Sequence, residues 1–120
     1  MDFAYDDQNI FAKILRGEIP NKTIYEDDFA LAFHDIAPQA PVHALVIPKG
    51  PYVSIDHMCL VGTDAELVGF MRAVGKVSEM LAIDDGFRTI ANTRSHGMQE
   101  VPHLHFHILG GQPMGPLLAG

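Results

Sequence analysis

Apolar positions recur along this chain with two different periods. Asn9 followed by Ile10-Phe11-Ala12-Lys13-Ile14-Leu15 has the form of a short capped helix, closed by Gly17 and Pro20. Lys22 to Glu26 and Ala30 to Ile36 are short runs of strand-forming residues, separated by the turn signal Asp27-Asp28. Pro38 and Pro41 break the chain, and His43-Ala44-Leu45-Val46-Ile47 predicts a third strand that stops at Pro48 and Gly50. From Thr63 the period lengthens: Leu67, Phe70, Met71, Val74, Val77 and Leu81 recur at three and four residues and give one apolar helix face. Thr63 and Glu66 have the spacing of a capping box. Asp84-Asp85-Gly86 closes this helix before a fourth strand from Phe87 to Asn92, and Leu104 to Leu109 predicts a fifth, ended by Gly110-Gly111.

Short hairpin-like connections and few helices give an α+β class: a mostly antiparallel sheet with helices packed on it. Gly69, Ala73 and Gly75 leave room on the long helix for close packing, against the sheet or against a second subunit. A chain of 120 residues without a repeat or linker reads as one domain, with a core of about 9–111 and tails at 1–8 and 112–120.

Composition narrows the partners. Hydrophobic residues make up 48% and charged residues 19%, as in ordinary globular proteins. A net charge of −7 argues against a nucleic-acid polymer or an anionic membrane, because both are bound by neutralising many negative groups. It leaves room for one small phosphorylated ligand held by local donors. The first residues carry neither a basic region nor an apolar stretch, so no signal peptide is expected. Cys59 stands alone, which predicts a loop or half-buried thiol, no disulfide and a reducing, cytoplasmic compartment.

The chemistry concentrates in His103-Leu104-His105-Phe106-His107-Ile108-Leu109. Alternation along a strand puts His103, His105 and His107 on one face and anchors Leu104, Phe106 and Ile108 in the core. Three imidazoles in a row are poor packing residues, since each ring has two nitrogens to satisfy. A metal site is one use for them, with His43 as a further ligand, but the outer two lie about 13 Å apart on a strand, too far for one ion. Nucleophilic attack on phosphorus is the other: neutral imidazole is competent near pH 7, and neighbouring rings can donate to phosphate oxygens or to a leaving group.

The same heptapeptide resembles the signature of the histidine-triad (HIT) family, His-φ-His-φ-His-φ-φ with φ apolar, at every position. Ile10 to Ile14, Glu18-Ile19-Pro20, Leu31 to Pro41 and His43 to Lys49 are similar to its Hint branch, so the likeness runs from about Asn9 to Gly111. It implies a five-stranded sheet with a long and a short helix, joined in a homodimer into a ten-stranded sheet. It implies a hydrolase of purine nucleoside 5′-phosphoramidates, with AMP or GMP compounds as ligands and no cofactor or metal. His105 would form a covalent nucleotidyl intermediate, oriented by the backbone carbonyl of His103, with His107 and His43 beside the phosphate. Asp35 would take the ribose hydroxyls. Ile10, Phe11, Ile14, Phe33, Ile36 and Leu45 would form the slot for the base. Asn92, Gln99 and Val101 would contact the phosphate or its leaving group. His34, between Phe33 and Asp35, joins the nucleotide set by position, although alone it reads as a surface histidine like His57 and His96. Related activities, a dinucleoside polyphosphate hydrolase or a nucleotidyl transferase, and a nucleotide-binding interaction module with incidental hydrolysis, are the alternatives.

Three departures from the family stand out. Glu100 replaces a Ser or Thr common in Hint relatives; an ionised carboxylate cannot donate to a substrate, and would suit a cationic leaving group. No cysteine precedes Ile10, unlike the zinc-binding members. The tail Gln112 to Gly120 lacks the tryptophan that many relatives carry.

Overall fold

The computed structural model describes residues 2–118. Its elements are α1 (Ile10–Leu15), β1 (Thr23–Glu26), β2 (Ala30–His34), β3 (Val42–Pro48), α2 (Ile55–Val61), α3 (Asp64–Met80), β4 (Phe87–Ile90) and β5 (Phe106–Gly110). The strands form one antiparallel sheet in the order β1-β2-β3-β5-β4. The predicted α+β class and its antiparallel five-stranded sheet are both present.

Strand alternation sorts the sheet into two faces. On one, Ala30, Ala32, Ala44, Val46, Phe106 and Ile108 pack with Phe70, Ala73, Val74 and Val77 of α3. The alanines let the helix come close, and Ala30, Ala32, Ala44 and Ala73 are fully buried. On the other face Leu31, Phe33, Leu45 and Ile47 pack under Phe11 and Ile14 of α1. β3 is buried on both sides, which explains its continuous apolar run. The register pairs Leu45 with His107 and Phe33 with Leu45, so histidines and the α1 cluster share a face.

Local chemistry accounts for the helix ends. Asn9 accepts from Ala12 N–H and caps α1. In α3 the Thr63 side chain accepts from Glu66 N–H while Glu66 accepts from Thr63 N–H, completing the expected capping box. Gly69 is needed where the Phe29 ring lies against the helix: a Cβ there would sit 2.3 Å from it. Gly75 faces open space, and Met71, expected on the apolar face, is exposed.

Several expectations need correction. α2 was not foreseen, and Cys59 is exposed on it rather than in a loop or half-buried. The Ala30 strand ends at His34, β4 ends at Ile90, and β5 begins only at Phe106, so His103 and His105 precede the last strand. The N-terminal tail is folded over its described residues: Phe3 stacks on His57 at 4.5 Å and Tyr5 reaches His103. Met1, Ala119 and Gly120, assigned to the tails, lie outside the described residues. Arg88 donates to the carbonyls of Gly115 and Pro116 and holds the C-terminal segment against β4. Among the described residues no helix is long and apolar enough to cross a membrane.

Candidate active site

The histidines converge where the start of β5 faces α1 across β3. His105 is buried, and its Nδ1 lies 2.7 Å from the backbone carbonyl of His103. A carbonyl only accepts, so Nδ1 carries the hydrogen and the Nε2 lone pair is free. The edge of Phe11 meets this ring at 5.0 Å, and the His107 ring lies 5.1 Å away. Burial lowers the His105 pKa, outweighing the carbonyl bond and the charges of Asp35 and Glu100 that favour the cation. The ring is therefore neutral near pH 7.

His103 does not share the open surface expected of a continuous strand. Its ring is fully buried, with Nε2 2.8 Å from the Pro48 carbonyl and Nδ1 2.6 Å from the Tyr5 hydroxyl. Burial pushes its pKa down to about 4.

His43 and His107 form a second unit. His43 Nδ1 accepts the Gln39 backbone N–H at 3.0 Å, so its Nε2 holds the hydrogen and donates to His107 Nδ1 at 2.9 Å. His107 is left with an Nε2–H donor, and burial, followed by the neighbouring His105 and His43, lowers its pKa to about 4. Asp35 follows β2; one oxygen accepts from Ala37 N–H at 2.8 Å and the other lies 3.4 Å from His43 Nε2. It is thus both a turn residue and a neighbour of the histidine pair.

Asp35, His43 and His107 bring three possible ligand atoms within 4.8 Å of one another. The proton order does not suit a metal, because a protonated His43 Nε2 has no lone pair to give unless the Gln39 bond is surrendered. The donor set fits an ordered hydrogen-bond chain better than a zinc site.

The remaining expected residues fall into three groups. Phe11, Ile14, Phe33 and Leu45 are buried beside the histidines, and Val101 packs on the same cluster. Ile10 is 44% exposed and Ile36 95% exposed, so both lie outside the buried cluster. His34, exposed at the end of β2 and paired with Ala44, falls on the α3 face of the sheet, contrary to its place in the expected nucleotide set. Asn92 is half-buried two residues beyond β4, whose Ile90 pairs with His107. Gln99 is otherwise engaged: its amide donates to the carbonyls of Val53 and Val101 at 2.6 and 2.9 Å, and its oxygen accepts from Arg94 N–H. Its place is in holding the loop before the triad rather than free in the cleft. Glu100 is exposed, close enough to His105 to bias its charge. Arg94, expected in a solvated loop, is exposed and pairs with Asp56 at 2.6 Å.

Tyr5, the Gln39 backbone N–H and the Pro48 carbonyl were not anticipated. The two backbone groups carry no sequence signal. Tyr5 is an aromatic within an acidic run, 98 residues from the ring it touches.

The family model described as HIT domain matches residues 16–114. A protein of Azospirillum brasilense described as an uncharacterized 13.2 kDa HIT-like protein is 51% identical over 116 residues, 96% of this chain and 95% of that one. The purine nucleoside phosphoramidase of Escherichia coli K12 is 44% identical over 114 residues, 94% of this chain and 95% of its own. The solved structure of a HIT family hydrolase from Clostridium thermocellum is similar, with a TM-score of 0.84 at 38% identity, covering 95% of this chain and 99% of that one.

Proposed function

The chain belongs to the HIT domain family as one of its hydrolases, and on that footing we propose that it cleaves purine nucleoside 5′-phosphoramidates without a metal. The observation that carries this reading is the 2.7 Å contact from His105 Nδ1 to the His103 carbonyl, which leaves a neutral ring with its Nε2 lone pair free. The identity to a purine nucleoside phosphoramidase supports the substrate class.

In this mechanism His105 Nε2 attacks the α-phosphorus as the P–N bond breaks, and the departing amine nitrogen takes a proton from solvent. Water then attacks the nucleotidyl-His105 phosphorus and breaks the P–N bond to the ring, releasing the nucleoside monophosphate, returning one proton to solvent and restoring the neutral imidazole. His107 Nε2–H donates to a phosphate oxygen, and the His43 bond keeps that hydrogen pointing outward. Asp35 accepts from the ribose hydroxyls. The base lies over Phe11, Ile14, Phe33 and Leu45, flanked by Ile10 and Ile36, with Asn92 and Val101 toward the phosphate end. We read the whole chain as a single HIT domain and the working form as a cytoplasmic homodimer. Support for pairing comes from β4, an edge strand with Phe87 exposed. The net charge of −7 speaks against nucleic acid as a partner.

The test is AMP release from an adenosine phosphoramidate by the native protein and by His105→Ala. The native protein turns over and the variant loses activity by several orders of magnitude; native turnover in the variant overturns the mechanism.

A further inference from the structure

The N-terminal segment reaches the back of the site at one atom. Tyr5 Oη lies 2.6 Å from His103 Nδ1, with the two rings edge to face at 5.6 Å. The other nitrogen of that ring, Nε2, donates to the Pro48 carbonyl at 2.8 Å, so Nδ1 is an acceptor and the phenol must be its donor. Burial raises the Tyr5 pKa, which keeps the donor hydrogen in place.

What this ring holds is the peptide that orients the nucleophile. The His103–Leu104 peptide presents its carbonyl to His105 Nδ1–H at 2.7 Å and its N–H to the Tyr52 carbonyl at 2.8 Å. The His103 N–H donates to the Val101 carbonyl at 2.8 Å. The ring, held at both nitrogens, and the two backbone N–H groups together restrain the residue whose carbonyl faces His105. Phe3, stacked on His57 of α2 with the planes 7° apart, anchors the segment that delivers Tyr5.

We propose that Tyr5 is a positioning residue for the nucleophile, fixing the His103 ring and through it the carbonyl that sets the tautomer and aim of His105. The inference rests on His105 as nucleophile. Removing the hydroxyl leaves a buried lone pair without a donor, which the ring relieves by turning or by admitting water.

The experiment compares native protein with Tyr5→Phe, reading steady-state hydrolysis of an adenosine phosphoramidate and ¹⁵N-detected histidine resonances. Tyr5→Phe folds with kcat down about tenfold and KM within about twofold, as loss of one hydrogen bond in alignment predicts. His103 Nδ1 moves toward the signal of an unbonded nitrogen, and the His105 Nδ1–H resonance shifts with it. A merely structural tie would leave the His105 resonance in place. An unchanged His105 resonance or a native kcat overturns the proposal. If the native protein itself releases no AMP, the functional assignment fails, while the resonances still decide whether Tyr5 positions His105.

Discussion

The imidazoles of His43 and His107 meet at 2.9 Å, Nε2 to Nδ1, across the ladder between β3 and β5. The Gln39 N–H on His43 Nδ1 sets the direction of that bond, so one backbone amide decides which nitrogen of His107 keeps a hydrogen for the substrate. A chain of ordered donors costs no reorganisation when charge develops on the phosphate.

Removing the inner ring tests this order. His43→Ala leaves His107 free to rotate and to exchange tautomers, and kcat falls by about a hundredfold, in the range for a positioned donor. KM for the nucleotide stays within a few-fold, since base and ribose contacts remain. A variant with native kcat would show that the pair is idle.

Acid should loosen the fold through the same histidines. Burial holds His103 and His107 at about 4, whereas an unfolded histidine titrates near 6.5. Between those values the unfolded chain binds more protons, so stability rises with pH across the window and is lost as pH falls from about 6.5 toward 4. The shift on fully buried His103 corresponds to roughly 3 kcal/mol at most, and half-buried His107 adds less. Urea unfolding at pH 7 and pH 4.5 should give a clearly lower midpoint at the acid value; equal midpoints would contradict the buried neutral rings.

Much of this arrangement is legible in the sequence. The Thr63–Glu66 cap, the α3 face through Phe70, Val74 and Val77, and the alternation of Phe106, His107 and Ile108 are local patterns that the fold keeps. The rest is set at a distance in the chain or is hardly patterned. α2 is seven residues long, buries only Met58, and its Ser54 cap side chain accepts no bond from the helix backbone, so its apolar period is too short to read. The His103–His105 stretch leaves the ladder because the N–H groups of His103 and Leu104 bond to the carbonyls of Val101 and Tyr52 instead. Ile36 looked like core by type and lies in solvent because the chain turns at Asp35.

Glu100 should set a preference among leaving groups. It is exposed and near His105, so a cationic amine would meet a favourable but screened charge. Glu100→Ser should lower the ratio of kcat/KM for a lysine-type phosphoramidate over a neutral amine by about threefold, the scale of an exposed charge pair. An unchanged ratio would sink the idea.

The free edge of β4 should pair with its own copy. Sedimentation equilibrium of the native chain should read twice the 13.2 kDa mass, and Phe87→Asp should shift it toward one copy by placing a charge on that edge. A native monomer at micromolar concentration would remove the dimer from the account.

The most direct test of the central claim is intact-mass analysis of protein quenched during turnover of an adenosine phosphoramidate. The account predicts one adenylyl group per chain, mapping to the His105 peptide and absent from His105→Ala. Rapid native turnover with no adduct at any quench time, matched by a His105→Ala variant of native rate, would contradict it.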